Sequence, residues 1–280
     1  MSLTPEKTLR LPTLGGRQMW GDERLLAGWR IQSHAGHGYH RLLALDKRCW
    51  AVGDFPRCAA LLAAQRLPPY PERLVLLVHG LGRSWAAMEP LARALRAHAM
   101  AAEAVTYPST KEDVAGHASR LIRILNHLPG AARVDFVAHS LGAIVVAAAL
   151  ARRREWPTHL VPGRAVFLAP PLQGASMARL CGKLAPMRWL LGACLATLAT
   201  PAPPVPEEIP LLVIAGGRGN RRGLNPLIRG DDDGTLAVAE TRPNRAHDFL
   251  LVKAQHSFIM GHRAVAPAVA AFLERFQKKV

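Results

Sequence analysis

The stretch that most constrains the fold of this chain is residues 133–150, RVDFVAHSLGAIVVAAAL. A short β-type run leads into the pentapeptide AHSLG at positions 138–142, and a helix-forming run of small and aliphatic residues follows. The order is therefore strand, serine, helix. A serine at the start of a helix is often a simple cap, so the residues around it decide between a structural and a chemical interpretation.

The residues around Ser140 have the sizes that a nucleophile elbow requires. In this motif the serine lies on a sharp, strained turn between strand and helix, so the residues two before and two after it must be small. Ala138 and Gly142 satisfy this requirement, although the usual pattern has glycine at both positions. Alanine keeps the small size and loses some backbone freedom. Ser140 is therefore the candidate nucleophile.

A glycine-rich loop follows a second apolar run. Residues 74–78, LVLLV, are typical of a buried strand, and HGLGR follows at positions 79–83. Backbone N–H groups of such a loop can face the negative charge that develops on a substrate oxygen. We expect the N–H groups of Leu81 and Leu141 to form this oxyanion hole. An ordinary strand-to-helix turn is the alternative interpretation of the loop.

Candidates for a base and an acid lie further along the chain. The apolar run at 249–253 predicts a strand, and His256 lies in the loop directly after it. Three aspartates at positions 231–233 lie between this strand and another predicted at 211–215. The chain order is therefore serine, acid, histidine, an order that distinguishes one serine-hydrolase fold from others.

Together these motifs resemble the α/β-hydrolase superfamily. The resemblance rests on HGLG at 79–82, AHSLG at 138–142, DGTL at 233–236 and HSF at 256–258, and it spans residues 72–278. It is nearest to the bacterial lipase and esterase group that has an Ala-His-Ser-x-Gly elbow. The resemblance implies an α/β-hydrolase fold, a Ser-His-Asp triad and ester cleavage through an acyl-enzyme.

The resemblance also favours one of the three aspartates. Asp233 directly precedes Gly234, as does the acid that orients the histidine in the lipase group, and Asp232 is the alternative. Neighbouring side chains point in different directions, so we expect only one of them to contact His256. The remaining aspartates could hold Ca²⁺, as related lipases sometimes do, but a solvated turn is favoured. We expect no metal and no cofactor.

Strands alternate with helices through the predicted core at 72–278. This alternation predicts a mainly parallel central sheet with helices on both faces. All the site segments follow the carboxyl ends of predicted strands, where ligands of such sheets bind. Residues 1–71 are expected to belong to the same domain, with an irregular arm at 1–22 and short antiparallel strands at the edge of the sheet.

An insertion at 171–208 separates two of the predicted strands. Its segment 187–198 is strongly apolar, too short to span a membrane, and precedes a proline-rich segment at 201–210. We expect this insertion to form a helical lid over the substrate pocket, and burial in the core is the alternative. The candidate pocket residues are Trp189, Leu190, Leu191 and Leu195.

The formal net charge of +16 comes mostly from scattered arginines. It favours weak association with an anionic membrane surface, and we expect no specific nucleic-acid site. The chain lacks an apolar run of signal-peptide length or of about 20 residues, so a cytoplasmic location is expected. Four cysteines without close spacing are expected to be reduced. The pattern does not indicate an oligomeric state.

These features predict hydrolysis of a small-molecule or lipid carboxylic ester by Ser140, His256 and Asp233. An amidase, a thioesterase or an acyltransferase would use the same attack and the same oxyanion hole, so these activities stay open. A third hypothesis is a non-catalytic binding protein with an α/β-hydrolase-like fold. A fluorophosphonate label distinguishes it, because only an activated serine reacts.

Overall fold

Ten strands in two sheets form the framework of the described residues, 16–183, 194–245 and 247–275, in a computed structural model. The strands are β1 Trp20–Leu26, β2 Trp29–His34, β3 His40–Leu43, β4 Cys49–Gly53, β5 Arg73–Val78, β6 Ala102–Val105, β7 Arg133–His139, β8 Val161–Leu168, β9 Leu211–Gly216 and β10 Asp248–Val252. The helices are α1 Phe55–Ala64, α2 Trp85–Ala97, α3 Val114–Leu125, α4 Leu141–Ala151, α5 Ser176–Cys181, α6 Cys194–Leu198 and α7 Val265–Glu274.

The larger sheet has six strands in the order β10-β9-β8-β7-β5-β6, and every neighbouring pair is parallel. The prediction of a mainly parallel central sheet is therefore confirmed. Its register pairs Val78 at the end of β5 with Ala138 near the end of β7. The loops that follow these two strands consequently lie side by side.

Alternate side chains of the central strands pack on opposite faces of this sheet, as the two-residue period of a strand requires. On β5, Leu74, Leu76 and Val78 belong to the hydrophobic cluster that contains α3 and α4. Val75 and Leu77 belong to the cluster that contains α2 and α7. Helices therefore cover both faces, as predicted.

Helix α4 is apolar on all sides, and nine of its eleven residues are buried. Such a helix needs partners all round, and α4 contacts α3 on one side and the central strands β5, β7 and β8 on the other. This packing fixes the helix, and with it the residue at its N-terminus, against the sheet.

Strands β1 to β4 form a separate antiparallel sheet instead of extending the edge of the parallel sheet. Strand β1 also begins at Trp20, inside the segment predicted to be irregular. Its charged residues make the strand hard to recognise in the sequence, because charged side chains are rarely buried. Asp22 is nevertheless fully buried, because its carboxylate is paired. The Asp22 carboxylate accepts hydrogen bonds from Arg30 Nη1 at 2.9 Å and from the backbone N–H of Thr106 at 2.7 Å.

The predicted lid contributes α5 and α6, which contact each other between β8 and β9. Leu195 lies in α6 and is buried. Trp189, Leu190 and Leu191 lie outside the described residues. None of the helices in the described part of the chain is long and apolar enough to cross a membrane.

Candidate active site

Ser140 lies on a sharp turn between β7 and α4. Its backbone has φ 51° and ψ −119°, a conformation that costs a non-glycine residue about 1–3 kcal/mol. The backbone N–H of Ser140 donates to Leu168 O at the end of β8, at 2.9 Å. The buried strand and helix on either side hold the serine in this strained turn.

Gly142 allows the turn to lie close to the neighbouring strand. A Cβ atom at this position would lie 2.5 Å from Val78 O and 2.6 Å from His79 O, closer than carbon and oxygen can approach. Ala138, two residues before Ser140, is completely buried. The small residues on both sides of Ser140 therefore allow the turn to pack closely against its neighbours, as a nucleophile elbow requires.

His256 joins Ser140 to Asp233 through two hydrogen bonds. His256 Nε2 lies 2.9 Å from Ser140 Oγ, and His256 Nδ1 lies 2.8 Å from Asp233 Oδ2. Because the carboxylate accepts, the proton of the neutral imidazole lies on Nδ1. Nε2 is then left as an acceptor for the serine hydroxyl.

The Asp233 carboxylate is almost fully buried and is itself held in place. Its Oδ1 accepts from the backbone N–H groups of Thr235 at 3.0 Å and Leu236 at 2.8 Å. The backbone N–H of His256 also donates to the backbone oxygen of Asp233, at 2.9 Å. The orientation of the His256 ring therefore depends on both the side chain and the backbone of Asp233.

The other two aspartates turn away from His256. Asp232 Oδ1 accepts from the backbone N–H groups of Asn225 and Gly234, at 3.0 and 2.7 Å. Asp231 accepts from the backbone N–H groups of Arg218 and Gly219. Both carboxylates therefore organise the loop after β9. Within the described ranges, no group of three or more side chains has the arrangement of a metal site.

The candidate oxyanion groups lie on adjacent elements. Leu141 is the first residue of α4, so its N–H has no acceptor within the helix and lies at the positive end of the helix dipole. Gly80 O accepts from His79 Nδ1 at 2.8 Å and from the Arg83 N–H at 3.3 Å. In a planar trans peptide, the Leu81 N–H points opposite to the Gly80 carbonyl. Leu81 lines the cavity in front of Ser140.

Tyr107 supports this loop from behind. Its hydroxyl donates to His79 O at 2.6 Å, and its ring stacks on the His79 ring at a centroid distance of 4.3 Å. The Tyr107 N–H donates to His79 Nε2 at 3.3 Å, so His79 carries its proton on Nδ1. Burial lowers the pKa of His79 to about 4, so the ring is neutral near pH 7.

His139, the residue before Ser140, contacts the loop that carries His256. Its Nε2 lies 3.0 Å from His256 O, and the two rings are 4.9 Å apart. Burial first, and then the neighbouring His256, lower the pKa of His139 well below its usual value. A neutral His139 therefore donates from Nε2 and holds the backbone of His256 against the elbow.

A mainly apolar cavity opens in front of Ser140. Its volume is about 230 Å³, several times the volume of a water molecule. The apolar residues that line it are Leu81, Pro171, Ala175, Met177, Ala178, Cys181, Leu195, Leu198 and Leu236. Of the four predicted pocket residues, Leu195 lines this cavity, and the other three lie outside the described residues.

Four residues of this site were not identified from the sequence: His79, Arg83, Tyr107 and His139. Two of them, His79 and Arg83, lie within the glycine-rich loop, and His139 lies inside the elbow. The sequence motifs therefore include these three residues but do not indicate what their side chains contact. Tyr107 follows β6, and only the sheet order, which places β6 beside β5, reveals its contact with the loop.

Solved structures of bacterial enzymes have a similar fold. The mature form of the lipase BlEst2 from Bacillus licheniformis is 19% identical, with a TM-score of 0.55, over 74% of this chain and 94% of that chain. Phospholipase PlaB from Legionella pneumophila is 14% identical, with a TM-score of 0.55, over 74% of this chain and 61% of that chain. At such identities, the similarity shows the fold alone. A comparison with curated proteins finds no match.

A sequence model described as the alpha/beta hydrolase family matches residues 75–274, which is more than half of the chain. This range contains the elbow, the glycine-rich loop, Asp233 and His256. The match agrees with the parallel six-stranded sheet and with the structural neighbours. The chain therefore belongs to the alpha/beta hydrolase family.

Proposed function

We propose that this hydrolase cleaves carboxylic esters with Ser140 as nucleophile, His256 as base and then acid, and Asp233 as the group that orients His256. The observation that carries the proposal is the hydrogen-bonded series Ser140, His256 and Asp233, with distances of 2.9 and 2.8 Å. These distances are within the range in which a base accepts a proton from its nucleophile.

In the proposed mechanism, Ser140 Oγ attacks the carbonyl carbon of the ester while His256 Nε2 takes the hydroxyl proton. The N–H groups of Leu81 and Leu141 stabilise the oxyanion of the tetrahedral intermediate. His256 then returns the proton to the leaving alcohol, which leaves an acyl group on Ser140. A water molecule, activated by the same imidazole, releases the acid and restores the serine.

The cavity supports an ester with a hydrocarbon portion. Leu195, Leu198 and Leu236 are buried side chains of its wall, and apolar walls favour an apolar acyl or alcohol group. Lipid esters and small-molecule esters both fit this description. The lipase BlEst2 and the phospholipase PlaB share the fold, which is compatible with such a substrate.

A matched pair of substrates tests the proposed reaction. We expect the purified protein to hydrolyse p-nitrophenyl butyrate and to cleave the corresponding p-nitroanilide, an amide with the same acyl group, far more slowly. The measurement is kcat/KM from release of the coloured product. Equal or faster cleavage of the anilide would favour an amidase, and no cleavage of p-nitrophenyl esters from C2 to C12 would contradict the proposal.

A further inference from the structure

Arg83 is the only residue with a permanent charge among the described residues that line the cavity at Ser140. No aspartate or glutamate is among these residues, and apart from Arg83 and His256 the lining consists of apolar or neutral polar side chains. A cation in a mainly apolar cavity has a strong effect on which ligands can bind, because the surroundings screen it less than water does.

Arg83 has no anionic partner within the described ranges. Its side chain makes no hydrogen bond, ion pair or aromatic contact there, although it is partly buried. Two buried arginines of the protein, by contrast, are paired with carboxylates: Arg30 with Asp22, and Arg120 with Glu23 and Glu112. A partly desolvated guanidinium without a carboxylate beside it is available to bind an anion from solution.

The backbone of Arg83 is held in position by side chains from two other segments. Arg83 O accepts from Gln18 Nε2 at 2.6 Å, and Gln18 Oε1 accepts from Ser109 Oγ at 3.0 Å. Ser109 Oγ in turn accepts from the backbone N–H of Gly82 at 2.9 Å. The guanidinium is therefore attached to a fixed point two residues after Leu81, beside the proposed oxyanion hole.

The positive charge of Arg83 acts electrostatically on the elbow that contains Ser140. It contributes, after burial and His256, to the low pKa of His139, the residue before the serine. The N-terminus of α4 adds a positive partial charge at the same place. An anionic group near the scissile bond would be attracted by both, whereas a cationic group would be repelled.

We propose that Arg83 selects esters that carry a carboxylate or a phosphate group close to the scissile bond, and this inference rests on the proposed ester hydrolase function. A guanidinium matches either group with two parallel hydrogen bonds, which a neutral ester cannot accept in the same way. The apolar wall around Leu195 and Leu198 then binds the hydrocarbon part of the same molecule.

Two pairs of substrates test this selection. The first pair is mono-p-nitrophenyl glutarate and its methyl ester, which differ only in the free carboxylate. The second pair is 1-butyrylglycerol 3-phosphate and 1-butyrylglycerol, which differ only in the phosphate. For each pair the quantity measured is the ratio of kcat/KM for the anionic member to that for the neutral member, at one fixed ionic strength.

In the wild type we expect a ratio of at least about 10 for one pair or both, and the larger ratio identifies the acid group that is bound. Arg83→Gln should lower that ratio by about 10- to 100-fold, the range for loss of a hydrogen bond to a charged group. Arg83→Lys, which keeps the charge without the planar fork, should give an intermediate ratio.

The control variant is Arg93→Gln, which removes the same charge from an exposed position on α2 that does not line the cavity. Its ratios should equal those of the wild type. The inference is overturned if both wild-type ratios are one or less, or if Arg83→Gln leaves them unchanged. Cleavage of p-nitrophenyl butyrate with no cleavage of any of the four esters would also overturn the inference. If the wild type cleaves neither these four esters nor the p-nitrophenyl esters from C2 to C12, the ester hydrolase proposal itself fails, and the two failures are thereby distinguished.

Discussion

The imidazole of His139 lies with its Nε2 atom 3.0 Å from the backbone oxygen of His256. A carbonyl oxygen only accepts, so the His139 ring must donate from Nε2. Burial lowers the pKa of His139 well below its usual value, so the ring is neutral and carries its single proton on Nε2. His139, which lies beside the proposed nucleophile Ser140, thus holds His256, the residue proposed to accept the proton of Ser140. The strand end of β7 and the loop after β10 are coupled at this bond.

This coupling predicts that His139→Phe lowers kcat more than it raises KM. Loss of one hydrogen bond costs about 0.5–1.5 kcal/mol, which corresponds to about 2- to 12-fold in rate. His139→Gln, whose amide can donate, should recover part of the loss. Steady-state kinetics and thermal melting of both variants make the check. A loss of activity that is equal in the two variants and follows their melting temperatures would mean that His139 only packs.

The two neighbouring aspartates should respond differently to the same substitution. Asp233→Asn should lower kcat by about 10²- to 10⁴-fold, because the amide no longer fixes the tautomer of His256. Asp232→Asn should leave kcat within a few-fold of the wild type and lower the free energy of unfolding, because its carboxylate holds the loop after β9. Kinetics and urea unfolding of both variants test this. The opposite pattern would move the orienting role to Asp232.

Two buried histidines predict a loss of stability in acid. Burial lowers the pKa of His79 and of His117 to about 4, whereas the unfolded chain binds these protons near pH 6.5. The unfolded state therefore binds more protons below pH 6.5, so stability falls as the pH falls towards 4, by up to about 3 kcal/mol for each histidine.

Urea unfolding at pH 7.5 and pH 4.5 measures this dependence. His117→Gln should reduce the loss of stability between the two values, because glutamine does not titrate. His98→Gln, which replaces an exposed histidine, should leave the loss unchanged. An equal loss of stability in His117→Gln and the wild type would show that His117 does not cause it.

Leu195 should influence the preference for acyl chain length. Each CH₂ group that a substrate buries contributes about 0.8 kcal/mol, so Leu195→Ala should reduce the gain in kcat/KM from C2 to C8 p-nitrophenyl esters. Activity on the acetyl ester should change least. Leu227→Ala, which shortens a leucine that is 70% exposed, is the matched control. Parallel chain-length profiles for the three proteins would show that Leu195 is a packing residue only.

The parallel sheet was predictable because its signals are local. Runs such as residues 74–78 and 211–215 are continuous and apolar, as strands buried on both faces must be. The ends of these strands also indicated where the site residues lie, and Ser140, His256 and Asp233 do lie within hydrogen-bond distance. Their catalytic roles remain predictions.

The features that were not predicted depend on contacts between distant parts of the chain. Strand β1 contains Asp22 and Glu23, whose burial requires Arg30 on β2 and Arg120 on α3. The support of the glycine-rich loop by Tyr107 depends on the position of β6 beside β5. The periodic pattern of one segment does not indicate which distant residues it contacts. The separate antiparallel sheet and the contacts that support the site could therefore not be predicted from the sequence.

In the proposed reaction, Ser140 is a nucleophile that His256 activates. The most direct measurement is labelling with a fluorophosphonate, followed by mass spectrometry of the peptides. We expect one label per chain, on Ser140, with labelling retained in Ser119→Ala, strongly slowed in His256→Ala and abolished in Ser140→Ala. A label on another residue, or ester hydrolysis that persists in Ser140→Ala, would contradict the claim.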